Sequence, residues 1–125
     1  MKVKKNLIIV GDRVLIEPDE KSDKTGSGLY LPATVKEKEK VVGGYIAKTG
    51  PGYAVHDPTS GEPFDNGKKK ELKFIPLQAV EGNYAIFLKE TATEIEFEGK
   101  KYLIVPHTGI LALVRTEIIE GEAET

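Results

Sequence analysis

Two histidines, His56 and His107, are the side chains of this sequence best suited to metal binding or proton transfer. A metal site needs three or four donor side chains, and neither histidine has a partner at ligand spacing. The absence of cysteine also removes thiolate ligands, cysteine nucleophiles and disulfides. The pattern therefore predicts no metal site, and it favours a loop position for His56 and a strand end for His107.

Three other groups of residues imitate a catalytic or ligand-binding motif. Gly-Ser-Gly at residues 26–28 lacks the surrounding Gly-Lys-Ser/Thr or Gly-x-Ser-x-Gly frame of a phosphate or nucleophile loop. Glu94, Glu96 and Glu98 repeat with a period of two, which is typical of the solvated face of a strand. The three lysines at residues 68–70 have no interleaved aromatic residues, so they indicate a charged loop. We predict that the protein is not an enzyme.

Length and charge restrict the class of protein further. The chain has 125 residues, enough for one domain with a modest core, and we predict a single domain over residues 1–125. Its 18 basic and 20 acidic side chains leave a net charge of −2, which predicts no binding to nucleic acid or to an anionic membrane. The apolar runs at residues 7–10 and 110–114 are too short for a signal peptide or a membrane span. We expect a soluble cytoplasmic protein.

The apolar periodicity predicts short strands and no convincing helix. The strands are expected at residues 7–10, 13–17, 45–48, 83–88, 94–98, 101–105 and 110–115. Thirteen glycines and seven prolines punctuate the chain, and the glycine at position 99 turns one pair of strands into a hairpin. Many short strands at close intervals predict an all-β sandwich or barrel. The acidic residues 118–125 are expected to form a flexible tail.

One long connection, residues 17–40, contains an isolated apolar tripeptide. Leu29, Tyr30 and Leu31 stand between polar and charged residues that have too little apolar content to hold themselves in a core. The pattern predicts a mobile loop whose three apolar side chains bind a partner. The flanking residues expected to act as hinges are Gly26, Gly28 and Pro32.

A second long connection covers residues 53–79. It contains four turn signals, among them Asn66-Gly67, which lies between Phe64 and the apolar run at residues 72–77. Loops of this length in a small domain are usually functional or disordered. We predict that the insertion protrudes as a hairpin.

The order of these motifs resembles the co-chaperonins, the GroES or ten-kilodalton chaperonin family. The matching pieces are Gly-Asp-Arg-Val-Leu-Ile at residues 11–16, Gly-Leu-Tyr-Leu-Pro at 28–32, Gly-Tyr-Ile-Ala-Lys-Thr-Gly-Pro-Gly at 44–52, Gly-Asn-Tyr-Ala-Ile-Phe at 82–87, and the closing pair at 102–105 and 110–114. Each piece is weak alone, but five in order cover nearly the whole chain. The chain departs from the family pattern in a longer insertion, in Tyr30 for a usual valine and in Asn83 for a usual aspartate.

The resemblance implies a small GroES-like β-barrel that assembles as a heptameric, dome-shaped lid on a large, GroEL-like chaperonin. Leu29, Tyr30 and Leu31 are the residues it assigns to chaperonin binding, and residues 53–79 correspond to a roof hairpin. The lid would have no cofactor of its own, because ATP is bound by the partner chaperonin. Edge pairing between the terminal strands of neighbouring subunits would assemble the ring. The residues expected at that interface are Leu7, Ile9, Ile110, Leu111 and Leu113.

Two other interpretations remain open from the residues alone. Leu29, Tyr30 and Leu31 could form a short buried strand of a monomeric barrel. The chain could also be a ligand-binding or catalytic β-barrel, like the related fold in zinc alcohol dehydrogenases, although it lacks cysteines and a nucleotide-binding domain. Solution mass distinguishes them, since both alternatives predict a monomer.

Overall fold

The computed structural model describes residues 1–19, 28–32, 40–56 and 72–119, and within these residues the chain is all-β. The strands are β1 (Arg13–Pro18), β2 (Val41–Thr49), β3 (Tyr53–His56), β4 (Leu72–Ile75), β5 (Tyr84–Leu88), β6 (Thr93–Phe97), β7 (Lys100–Pro106) and β8 (Ile110–Val114). Two single turns of 3₁₀ helix, Lys89–Thr91 and His107–Gly109, link strands near the end of the chain.

Six of the strands form one antiparallel sheet, in the order β6-β7-β1-β2-β5-β8, and β3 pairs separately with β4. No ladder joins the outer strands β6 and β8 within the described part of the chain, so the sheet is open at those edges. The architecture agrees with a small GroES-like β-barrel, and the predicted all-β fold class is confirmed.

The main core lies on one face of this sheet. Strands have a side-chain period of two, so alternate residues of β1 and β5 point to the same side. Val14, Ile16, Ala85 and Phe87 are all fully buried there. Removing each of the larger of these side chains from water stabilises the folded state by roughly 1.5–3 kcal/mol. The remaining buried members of the main core are Ile46, Leu77, Ala79 and Val105.

Most strand predictions agree with the structure, but β2 begins four residues before its predicted start. The predicted strand at residues 45–48 begins after Gly43 and Gly44, whereas both glycines lie inside β2. A Cβ on Gly43 would overlap the phenol ring of Tyr84, and a Cβ on Gly44 would overlap the backbone carbonyl of Glu17. These glycines therefore permit close packing against neighbours, and they do not end the strand.

The prediction of a strand at residues 7–10 is wrong for the single chain, because these residues make no strand ladder. Their exposure nevertheless alternates: Ile9 is buried at 6% exposure, whereas Ile8 and Val10 are 73% and 70% exposed. A strand requires a partner edge to satisfy its backbone groups, and no strand of the described residues pairs with this segment. The local pattern is that of a strand without its partner.

The β3–β4 pair lies at the base of the insertion. Tyr53 stands opposite Ile75 and His56 opposite Leu72 in antiparallel register. The predicted turn at Asn66-Gly67 lies outside the described residues, as do the three lysines at 68–70 and the tail residues 120–125. The protruding hairpin over 53–79 therefore stays a prediction.

Gly52 is a position where substitution should detach the β3–β4 pair. Its φ of +118° is one that side chains disfavour, and a Cβ there would overlap the carbonyl oxygen of Ile75. We expect Gly52→Ala to lower the free energy of unfolding by about 3 kcal/mol. The matched control is Gly82→Ala, where φ is +93° but no atom lies within 4 Å of the added Cβ. Equal losses in urea unfolding of the two variants would contradict a role for the overlap.

Candidate functional site

The apolar tripeptide at residues 29–31 divides into two buried or half-buried leucines and one exposed tyrosine. Leu31 is only 8% exposed, and Leu29 is half-buried against the same cluster. Tyr30, between them, is 60% exposed. The leucines thus contact the protein itself, while the phenol ring of Tyr30 faces solvent.

The leucines pack on a second, smaller apolar cluster that is separate from the main core. It is formed by Val41 on β2 and Ile86 on β5, which are 5% and 9% exposed, with Leu88 packed beside them. Val41 stands opposite Leu88 in the β2–β5 ladder, so the two side chains share one face of the sheet. Ile86 lies two residues before Leu88, on that same face, whereas Phe87 faces the main core. We call Val41, Ile86 and Leu88 the outer patch.

The N-terminal root of the 17–40 segment is tied to β2 and β5. The backbone N–H of Asp19 donates to the carbonyl of Gly43 at 3.0 Å, and the Tyr84 hydroxyl donates to Oδ2 of Asp19 at 3.1 Å. Tyr84 is 2% exposed, and Tyr45 packs edge-on against it with ring centroids 4.9 Å apart. Sequence reasoning missed this anchor, because Tyr84 and Asp19 are 65 residues apart and no local pattern relates them.

The C-terminal root is held by the same pair of strands. The backbone N–H of Lys89 donates to the carbonyl of Lys40 at 2.8 Å, immediately before β2 begins. Lys40 has a φ of 54°, in the left-handed region that non-glycine residues seldom adopt. Both ends of the segment are therefore fixed to the β2–β5 ladder, on which the leucines also pack.

An ion pair adds a further contact at the start of the segment. Lys100 on β7 pairs with Glu17 on β1, and the hydrogen bond with Glu17, together with its charge, raises the pKa of Lys100 above the ordinary value. The stabilisation by this pair is complete below the ordinary lysine pKa and is lost as pH rises through the raised one. Both side chains are largely exposed, so the pair orients Glu17 more than it stabilises the fold.

The predicted hinge residues have different surroundings. Gly28 is exposed and has a φ of +88°, a conformation in which glycine has no steric penalty. Pro32 is half-buried, and Gly26 lies outside the described residues. The hinge assignment stays a prediction.

The predicted interface residues are not equally accessible. Leu111 is 57% exposed on the edge strand β8, whereas Ile110 and Leu113 pack against the main core. Ile9 is buried, and half-buried Leu7 accepts a hydrogen bond from Nζ of Lys48 through its carbonyl. Leu111 is available to a neighbour, and so are two residues that the prediction omitted, Ile8 and Val10. The sequence signal that could have identified them is the unbroken apolar run at residues 7–10, since a strand cannot turn all four side chains to one face.

The histidines have structural surroundings. Nδ1 of His107 lies 3.1 Å from the hydroxyl oxygen of Tyr53. Its Nε2 accepts a hydrogen bond of 3.4 Å from the backbone N–H of Ala79. It thereby links the β3–β4 pair to the 3₁₀ turn before β8, while His56 is an exposed residue of β3. The described residues contain no group of three or more side chains suited to holding a metal ion. In the same part of the chain, no helix has the length and apolarity to cross a membrane.

Comparison with known families decides the family of this fold. The family model of the chaperonin 10 Kd subunit matches residues 6–114, which is most of the chain. The chain belongs to this family. This match confirms the resemblance inferred from the motifs. Chaperonin 10 proteins are co-chaperonins, and the family is not a family of enzymes.

The chain matches individual chaperonin 10 relatives over nearly the whole length of each relative. The chain is 40% identical over 106 residues to the co-chaperonin GroES of Listeria monocytogenes, which covers 85% of this chain and 96% of that one. It is 38% identical over 105 residues to the co-chaperonin GroES of Halalkalibacterium halodurans, covering 84% and 95%. It is 36% identical over 108 residues to that of Coprothermobacter proteolyticus, covering 86% and 94%. The function of the chain is that of a co-chaperonin, and its partner is a GroEL-type chaperonin.

Proposed function

We propose that this co-chaperonin is an oligomeric lid that binds the ATP-loaded large chaperonin through Leu29, Tyr30 and Leu31. Binding closes the folding chamber over unfolded substrate protein. The observation that supports this assignment is the apolar tripeptide on a segment whose two roots are hydrogen bonded to the β2–β5 ladder. A fixed barrel thus presents a short apolar element from one defined place on its surface.

The energetics of one such segment favour weak binding. Burying Leu29 and Leu31 in an apolar groove gains at most roughly 2 kcal/mol each, because both already pack on the outer patch. Fixing the backbone of about ten loop residues costs on the order of 1 kcal/mol apiece. A single segment therefore binds feebly, whereas several on one ring bind together, because the first contact places the others at high effective concentration. Weak single contacts also allow the lid to leave when the state of the chaperonin changes.

This reasoning requires an oligomer, and the structure has unpaired elements suited to forming one. β8 is an edge of the six-stranded sheet, and residues 7–10 alternate in exposure without a ladder. Pairing the segment at 7–10 with β8 of a neighbouring subunit would give a hydrogen-bonding partner both to the segment and to the β8 edge of the sheet. We propose a closed ring of seven subunits, with the exposed side chains of Ile8, Val10 and Leu111 at each contact.

The remaining properties follow from the role of a lid. The protein itself hydrolyses nothing and needs no cofactor, because the large chaperonin binds and hydrolyses the ATP. Its place of action is the cytoplasm, with the chaperonin.

The experiment that tests the function is co-elution with a cognate double-ring chaperonin on a sizing column, with and without ATP. Co-migration that depends on ATP supports the lid. No co-migration with an active chaperonin would mean that the family motifs preserve only the barrel. The solution mass of the free protein tests the ring separately, since the monomeric ligand-binding alternative predicts a single 13.7 kDa chain.

We expect the outer part of the 53–79 insertion to be dispensable for capture by the chaperonin. Leu77 and Ala79 belong to the main core and must remain, but His56 and Leu72 are register partners that a two-residue turn can join. Replacing residues 57–71 with Asn-Gly should leave the ring mass and ATP-dependent co-elution unchanged. An intact ring of this variant that the chaperonin no longer captured would contradict the prediction.

A further inference from the structure

We propose that Lys48 is a positioning residue for assembly of the ring, because it prepares residues 7–10 for contact with a second copy of this chain. We call residues 7–10 the arm. The proposal rests on the proposed function, since it concerns the contact between the arm and β8 of a neighbouring subunit. Nζ of Lys48 donates a hydrogen bond of 2.8 Å to the backbone carbonyl of Leu7. Lys48 thus acts through the arm, which it holds in place before a neighbour arrives.

The arm is held against its own subunit at both ends and between them. At its start, the carbonyl of Leu7 accepts the hydrogen bond from Lys48, which lies 41 residues further along the chain. Within the arm, Ile9 is only 6% exposed. Directly after it, the carbonyl of Gly11 accepts a hydrogen bond of 3.1 Å from the backbone N–H of Gly52. The arm therefore has a defined position, although it belongs to no strand ladder of the described residues.

The β1–β2 ladder explains why a lysine can hold the arm. Lys48 stands opposite Leu15, so the two side chains share one face of the sheet. Leu15 is 2% exposed, and it alternates with Val14 and Ile16, which face the main core. The shared face is therefore the opposite one, and it is covered. A half-buried lysine there packs its aliphatic stem and brings its ammonium group to a carbonyl oxygen, which the group needs when it leaves water.

The bond from Lys48 decides which backbone groups of the arm remain for a neighbour. Exposure alternates over residues 8–10 as it does along extended backbone, in which the N–H and C=O groups of successive residues point to opposite edges. Leu7 directs its carbonyl to Lys48, so Ile8 and Val10 direct their backbone groups to the other edge. Within the described residues, neither Ile8 nor Val10 makes a backbone hydrogen bond. The edge that would pair with β8 of a neighbour is therefore formed in the single subunit.

Holding the arm in advance favours assembly, because its backbone freedom is lost before the subunits meet. An arm that adopts the paired arrangement only about one-tenth of the time binds a neighbour about tenfold more weakly. A hydrogen bond from a charged donor changes an equilibrium by roughly tenfold or more, which is sufficient for that effect. Each subunit added to a closed ring makes about one such contact, so the subunit concentration at half-assembly rises by about the same factor.

The test removes the donor group of Lys48 and keeps the stem. Lys48→Met has a similar length without the ammonium group, whereas Lys48→Arg restores a charged donor. The matched control is Lys73→Met, which changes an exposed lysine of the separate β3–β4 pair. Two quantities are measured: the subunit concentration at half-assembly, from solution mass over a dilution series, and the hydrogen-exchange rate of the arm amides in dissociated subunits. Sub-denaturing urea brings half-assembly into the measurable range, and circular dichroism verifies the strands under the same conditions.

We expect Lys48→Met to half-assemble at about tenfold higher concentration than the wild type, and its arm amides to exchange about tenfold faster. Lys48→Arg and Lys73→Met should stay close to the wild type in both quantities. The proposal is wrong if the arm exchanges faster but half-assembly does not move, or if neither quantity moves. A Lys48→Arg variant that behaved like Lys48→Met would contradict a role for the donated hydrogen bond.

A second variant changes the arm itself and leaves Lys48 in place. Ile9→Ala removes the buried side chain of the arm, which lies outside the main core, and it should move both quantities in the same direction as Lys48→Met. Wild-type values for Ile9→Ala would show that the position of the arm does not control assembly. If the wild type is a single 13.7 kDa chain at every concentration, the proposed ring fails, whereas the exchange rates still report whether Lys48 holds the arm.

Discussion

Replacing Leu29 and Leu31 together with serine is expected to abolish ATP-dependent capture by the chaperonin while leaving the ring assembled. Full burial of a leucine is worth roughly 2 kcal/mol, and because both leucines already pack on the outer patch, each subunit loses less than about 4 kcal/mol of contact energy. The loss is at most about a thousandfold in affinity per segment, and it multiplies over the subunits that bind together. The fold should persist, because both leucines pack on the outer patch and neither belongs to the main core.

The measurement is co-elution with a cognate chaperonin in ATP, with circular dichroism and solution mass recorded for the same sample. The matched control is Ile118→Ser with Ile119→Ser, since these residues are 89% and 71% exposed and lie beyond β8. The control should be captured as the wild type is. A serine variant that lost its strand signal or its ring would show that the leucines are structural, and one that was still captured would remove the tripeptide from the binding site.

Placing lysines at Ile8 and Leu111 is expected to convert the ring into monomers. Both side chains are exposed in the single chain, at 73% and 57%, so the substitutions should not disturb the subunit fold. In the proposed ring they meet a neighbour, and burying an ammonium group without a partner costs several kcal/mol or neutralises it. The solution mass should fall to that of one 13.7 kDa chain, about one-seventh of the wild-type value.

The control for the lysine variant is Ile75→Lys with Val80→Lys, two exposed apolar residues away from residues 7–10 and β8. We expect this control to keep the wild-type mass. The monomeric variant should also lose chaperonin capture, because single segments bind too weakly without a ring. A lysine variant that kept its full mass would place the subunit contact elsewhere on the chain.

The local pattern of the sequence predicted several elements closely. Alternation in residues 94–98 and the glycine at position 99 identified the β6–β7 hairpin, in which Glu94 and Glu96 are exposed and Ile95 is half-buried as expected. Glu98 is the exception, because β6 ends at Phe97 and Glu98 has a φ of 51° in the turn. The β-branched run after Gly11 identified β1. These predictions held because a strand buried on one face, or bounded by a turn residue, carries its signal within a few neighbouring positions.

The same local rules failed where the reason for a residue lies far away in the chain. The local pattern starts β2 after Gly43 and Gly44, yet both glycines lie inside the strand, where Tyr84 and Glu17 approach them closely. Residues 7–10 have the pattern of a strand but pair with no strand among the residues that the structure describes. Whether another residue packs closely against a glycine, and whether a segment has a strand partner, depend on residues far away in the sequence. The local pattern does not contain those residues.

The sequence by itself determined the all-β class, most strand positions, the family and the tripeptide proposed to bind the chaperonin. Motif order and residue type were sufficient for these, because they depend on periodicity and on apolar residues in a charged segment. The tertiary structure alone decided that Leu31 packs on Ile86, that Tyr84 holds Asp19, and that Ile8 and Leu111 are exposed while Ile9 is buried. Each of these depends on which strands become neighbours, and that pairing joins residues tens of positions apart.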